Sequence, residues 1–304
     1  MTAYTQVSSN RVKTWLIMFL FAAFLTFVVY VFTNALGFRG PSALSFTGIA
    51  LIIAGVMNFV SYYYSDKMVM AISGAKQIQK KDKPELFRIV ENLSIASGLP
   101  VPKVYVINDS APNAFATGRD PKHASIAFTT GIIEKLTKLE LEGVAAHELS
   151  HVGNYDTRLL TIVSILVGTV ALLADWFLRM MWWGGGDRDN DRDNANGIFV
   201  VVGLVLAIAA PIIGTLIQLS VSRKREFMAD ASGALLTRNP ESLADAIVKI
   251  SKDSEPLEVA NKATAHLYIV NPFKSRHKVV GWFSNLFNTH PPVEQRVKAL
   301  REMG

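Results

Sequence analysis

The chain has 304 residues, half of them hydrophobic and 18% charged, and its mean hydropathy of +0.26 is high for a soluble protein and points toward a membrane. It has no cysteine, which excludes disulfides, thiolate metal sites and cysteine nucleophiles and leaves His, Asp and Glu to hold any metal. Its 31 basic residues outnumber 25 acidic ones, but no nucleic-acid-reading motif accompanies them, so the excess points to anionic lipid headgroups and not to nucleic acid.

Four apolar stretches, Trp15 to Leu36, Ala43 to Tyr64, Leu159 to Met181 and Ile198 to Ser220, are each about 20 residues long or slightly more, enough to cross a bilayer core. The first two are joined by a short turn with Gly40 and Pro41 and predict a helical hairpin, its first helix a retained signal anchor. The last two flank Gly184, Gly185, Gly186 and the polar run Asp187 to Asn194, which cannot enter hydrocarbon. This second hairpin spans the membrane or, in the alternative, lies on its surface; Asp175 and Arg179 share a helical face beside Trp176, Trp182 and Trp183, as at an interface. Lys and Arg cluster near the spans at Arg11, Lys13, Lys67, Arg158, Arg223, Lys224 and Arg225, against Arg39, Arg188 and Arg192 on the other side. The richer side is expected to face the cytoplasm, with both termini. The chain thus divides into a hairpin (1–64), a first cytoplasmic part (65–157), a second hairpin (158–220) and a helical cytoplasmic part (221–304).

In the first cytoplasmic part, Pro84, Leu86, Ile89, Val90 and Leu93 predict an amphipathic helix that stops near Gly98 and Pro100. Three short runs, Val104 to Ile107, Ala114 to Thr117 and Ala124 to Thr129, predict a small sheet. Thr137 and Glu140 have capping-box spacing ahead of a helix from about Lys138 to Asn154. Further on, Asn239-Pro240 and Pro291-Pro292 each open a helix, the last with Val293, Val297 and Leu300 on one face.

The helix after Thr137 carries His147-Glu148-Leu149-Ser150-His151. Residues four apart project from one helical face, so both imidazoles can reach one zinc ion while Glu148 stands beside them as a base for an attacking water. A catalytic zinc needs a third protein ligand, and Glu226 is the candidate. Asp230, one turn on, is placed to orient a ligand histidine. From spacing alone these two acids are equally a charged helix end after a membrane span. His123, His266 and His277 have no comparable neighbours and read as surface or packing residues.

Four blocks, Asn113 to Gly118, His147 to Asp156, Ser222 to Asp230 and Thr289-His290-Pro291-Pro292, resemble the HtpX-like heat-shock membrane zinc proteases, relatives of the CAAX prenyl-protein endopeptidases. The resemblance implies a mainly α integral membrane protein with about four transmembrane helices and a cytoplasmic α+β protease domain of the gluzincin type. It implies that His147, His151 and Glu226 bind one Zn2+, that Glu148 is the base, and that Asp230 supports a ligand histidine. It further implies that Asn113 lies at an edge strand that pairs with substrate and that His290 stabilises the oxyanion; without the resemblance a turn and a helix cap are the plainer readings of those two, and with it the functional ones are favoured. The implied setting is the bacterial inner membrane, and the implied substrates are misfolded or membrane-embedded proteins. A prenyl-protein processing protease and a non-catalytic zinc-binding scaffold are the rivals; an intact Glu148 argues against the scaffold.

Overall fold

The computed structural model describes residues 3–35, 40–166, 169, 223–258, 267–269 and 291–304. Its first two helices, α1 (Ala3–Ala35) and α2 (Pro41–Ile72), form a hairpin. Gly40 makes the turn at φ 63, and Pro41 sits in the first helical turn, where its missing N–H costs nothing. One stripe of α1, with Ile17, Met18, Phe21 and Leu25, packs with Ala54 of α2, and Asn58 donates to the carbonyl of Met18 at 3.0 Å. The outer faces are apolar too: Phe19 and Ile52 are 69% and 68% exposed. Contiguous apolar surface of this kind is costly against water and costs nothing against lipid. Within these helices Val12–Tyr30 and Leu44–Ile72 are long and apolar enough to cross a membrane. Helix α2 continues eight residues past Tyr64, because Ser65, Asp66 and Lys67 are compatible with a helix and the first breaker is Gly74, at φ 62.

The following segment builds a four-stranded sheet in the order β1-β2-β4-β3 from β1 (Lys76–Gln77), β2 (Lys103–Ile107), β3 (Ala114–Gly118) and β4 (Ala124–Thr129). Strands β2 and β4 are parallel and the other pairs antiparallel, so β3 lies at an edge. Between β1 and β2 runs α3 (Pro84–Ser97), which ends at the left-handed Gly98. Short α4 (Thr130–Lys135) is capped by the Thr129 side chain, and α5 (Lys138–Gly153) follows. A helix α6 starts at Asp156, and its described part covers residues 156–166. Its Leu159, Ile162, Val163 and Leu166 pack into the α1 stripe. The remainder of the second apolar hairpin, Thr169 apart, falls outside the described residues. Beyond it come α7 (Arg223–Thr237), α8 (Pro240–Lys252) and α9 (Val293–Arg301). Val144, Ala145 and Leu149 of α5, Leu243 and Ile247 of α8, and Leu300 of α9 share one core with α3 and the sheet. Helix α5 is therefore the buried centre of the fold.

Candidate metal centre

The position of α5 is fixed at its first turn. The Thr137 side chain accepts from the Glu140 amide, and the Glu140 carboxylate accepts from the Thr137 amide, a reciprocal cap. Lys249 of α8 adds an ion pair to Glu140 at 2.7 Å. Three turns on, His147 and His151 project from the same face with ring centroids 4.8 Å apart and planes at 88°. Their Nε2 atoms are 3.3 Å apart.

Helix α7 lies across α5 at close range. A β carbon on Gly233 would stand 3.0 Å from the His147 amide nitrogen, so glycine is what permits this approach. The approach brings Glu226 to the imidazoles: Oε1 is 3.5 Å from His151 Nε2 and Oε2 is 3.9 Å from His147 Nε2. One ligand atom from each of His147, His151 and Glu226 falls within 4.8 Å of the others, and all three side chains are buried.

Each histidine is held from behind. His147 Nδ1 is 2.9 Å from Asp230 Oδ1, an ion-pair distance off the angle of a straight hydrogen bond, and His151 Nδ1 is 3.1 Å from Asp156 Oδ2. Carboxylates in that position fix the ring and leave Nε2 facing the centre. Asp230 is in turn gripped by Arg296 of α9 through two bonds of 2.6 and 2.8 Å. Arg296, only 1% exposed, also donates to the carbonyl of Ile269 at 3.2 Å and stands 3.9 Å from Glu226.

These contacts set the electrostatics. Burial pushes the Asp230 carboxyl up, but the Arg296 guanidinium overrides it and holds the pKa down at about 2. His147 is pushed down by burial, against the pull of Asp230. Burial acts the same way on His151, yet its bond to Asp156 and the charge of Glu226 carry it up to about 9. A donor set of two imidazoles and one carboxylate suits zinc with a position left for substrate.

Glu148 is 3% exposed and lies beside the Ala116 amide of edge strand β3. Burial foremost, with Glu226 adding, raises its pKa to about 7, partly offset by His151. Along the same edge the Ala114 carbonyl accepts from the Ile269 amide, and the Gly118 amide reaches Thr161 Oγ1 of α6 at 3.3 Å.

The structure thus brings His147, Glu148, His151, Glu226 and Asp230 into one cluster. Asn113 directly precedes β3; it is buried, and its backbone N–H donates to Thr129 Oγ1 at 2.9 Å. His290 lies outside the described residues, as do His266 and His277, whereas His123 is at the surface against Asp120 at 2.8 Å. Asp156, Arg225, Arg296 and Asn10 complete the cluster without having been singled out as site residues from the sequence.

The profile of Peptidase family M48 matches residues 80–304. A protease HtpX homolog of Dictyoglomus thermophilum is 43% identical over all of this chain and 95% of its own length. Homologs of the same name in Tropheryma whipplei (strain Twist) and Caldanaerobacter subterraneus subsp. tengcongensis are 44% and 43% identical, each over 99% of this chain and 98% of the relative. Among solved structures, S. mikatae Ste24p matches with a TM-score of 0.49 at 17% identity, covering 95% of this chain and 67% of that one. With a family profile spanning most of its length and relatives matched nearly end to end, the chain belongs to Peptidase family M48.

Proposed function

We propose that this membrane zinc metalloprotease cleaves cytoplasmic segments of misfolded or membrane-embedded proteins at the inner face of a bacterial inner membrane, as a quality-control endopeptidase. The observation that carries the reading is the convergence of His147, His151 and Glu226 on one point with the Glu148 carboxylate beside them. When bound by these three side chains, zinc supplies a Lewis acid that polarises the scissile carbonyl and eases ionisation of water. Glu148 takes the proton of the attacking water and returns it to the leaving amine. Burial, which pushes this carboxyl up from its usual range, favours transfer in both directions. Asp230 and Asp156 keep the two imidazoles aimed. Strand β3, at the sheet edge beside Glu148, is where an extended substrate adds its backbone, with Asn113 at one end, in place of the contacts that Ile269 and Thr161 make to Ala114 and Gly118. The oxyanion role of His290 rests on resemblance. The orientation rests on the Lys and Arg flanking the spans, which also favour contact with anionic headgroups.

The test compares the full-length, zinc-loaded chain with Glu148→Gln on casein and on a misfolded membrane protein, with metal analysis of both. The amide keeps the shape but cannot take the proton, so zinc content stays native while cleavage falls on the order of a hundredfold or more. Undiminished cleavage removes Glu148 from the mechanism, and lost zinc makes it a ligand.

A further inference from the structure

We infer that Asn10 of α1 is a positioning residue for the metal centre: it pins the carboxylate that orients His151, so the seating of the first membrane helix sets the geometry of the site. The inference rests on the zinc reading above.

Asn10 precedes the apolar stretch Val12–Tyr30 by two residues and heads the buried stripe of α1, followed by Thr14, Ile17, Met18 and Phe21. It is 2% exposed, and a buried amide is costly unless bonded. Its Nδ2 donates to Asp156 Oδ1 at 2.9 Å and to the Asn154 carbonyl at 3.3 Å, and its Oδ1 accepts from Arg225 Nη1 at 3.4 Å. Arg225 donates to the same Asp156 oxygen at 3.3 Å. Asp156 Oδ1 is therefore committed to α1 and α7, and Oδ2 to His151, so the carboxylate has no freedom to turn without losing one of them.

The turn that presents Asp156 needs holding. Tyr155, between α5 and α6, has φ 59, a left-handed conformation disfavoured for a residue with a side chain. Asn10 bonds the residue on each side of it. Arg225, the acceptor's other partner, is the immediate neighbour of Glu226. A single side chain of a membrane helix thus touches the support of one donor, His151, and the chain neighbour of another, Glu226. Because carboxylates behind ligand histidines tune metal affinity, a shift of α1 reaches the metal through Asn10 without any contact to it.

The test uses the full-length chain in lipid nanodiscs and two readouts that need no proteolysis: zinc affinity by competition with a chromophoric chelator, and the visible absorption spectrum of the Co2+-substituted protein. Asn10→Leu keeps the number and branching of the side-chain heavy atoms and a good helix former while removing the amide. Zinc affinity should fall about tenfold and the Co2+ spectrum should change. Asp156→Asn should weaken zinc as well, and adding Asn10→Leu to it should cost nothing further, since the effect runs through that carboxylate. Thr14→Val, one turn along the same buried stripe, should leave affinity native. Should leucine not be accommodated, Asn10→Ala gives the same readout. Native affinity and spectrum without the Asn10 amide, full additivity with Asp156→Asn, or an equal loss from Thr14→Val each overturns the inference. A wild-type chain that takes up no zinc overturns the metal reading itself, and this inference with it.

Discussion

Arg296 is nearly sealed from water, and both of its bonds to Asp230 run through a charge that cannot be neutralised. Removing one partner of such a pair leaves the other charge stranded. Arg296→Leu should therefore destabilise the fold by about 3–5 kcal/mol and loosen His147, whereas Arg296→Lys, keeping charge but not the two-pronged grip, should fall between. Denaturant unfolding with zinc titration measures both; a leucine variant as stable as the native chain would show that Asp230 finds another cation. The sequence held a sign of this residue. On α9, Arg296 lies three residues after Val293 and four before Leu300, on the apolar stripe, and a guanidinium on a buried face implies a buried acid. What the sequence does not show is which acid. Asp230 is 66 residues away, and Asn10 lies 146 residues from Asp156, separations that no local spacing rule reaches. The His147–Glu148–His151 set was legible because its geometry is contained within one helical turn.

At the scale of elements the same distinction holds. Helices α3, α5 and α8 and strands β2 to β4 carry their own punctuation, such as the Thr137 capping box, Pro84 and Pro240 at first turns, and the left-handed Gly98, and are readable one at a time. Strand β1 has two residues and exists only because β2 offers an edge, and α4 is a six-residue helix begun by the Thr129 side chain; neither has a periodicity to read. Close contact of α5 and α7 is likewise a tertiary fact. Gly233→Ala inserts a methyl group 3.0 Å from the backbone of His147, where only movement of a helix relieves it. The expected result is a thermal midpoint lower by several degrees, for a cost of about 1–3 kcal/mol, with weakened zinc binding as Glu226 retreats. Native zinc affinity in that variant would mean that α7 shifts along its axis without carrying Glu226 away.

The described residues of the molecule are tied together at one cluster. Residues from α1, α5, α6, α7 and α9 meet around the three donors, and no one of these helices holds the site alone. A ligand that binds only the assembled state stabilises all of its parts together. Stripping zinc with a chelator should therefore lower the unfolding midpoint of the full chain, and readdition should restore it; at free zinc a thousandfold above its dissociation constant the difference is about 4 kcal/mol. Equal midpoints with and without chelator would place the metal in a site that folding does not depend on. The long-range bonding of the cluster also bears on how the protein comes into being. Asn10 and Arg225 are 215 residues apart, and Asp230 waits a further 66 for Arg296. Domains assemble from the N-terminal side as synthesis proceeds, so a partly made chain has its two histidines long before it has the acid, the guanidinium and the last helix that make them competent. A protease assembled in this order has no hydrolytic centre while it is still being threaded into the bilayer, when its own unfolded segments and those of its neighbours are most open to cutting.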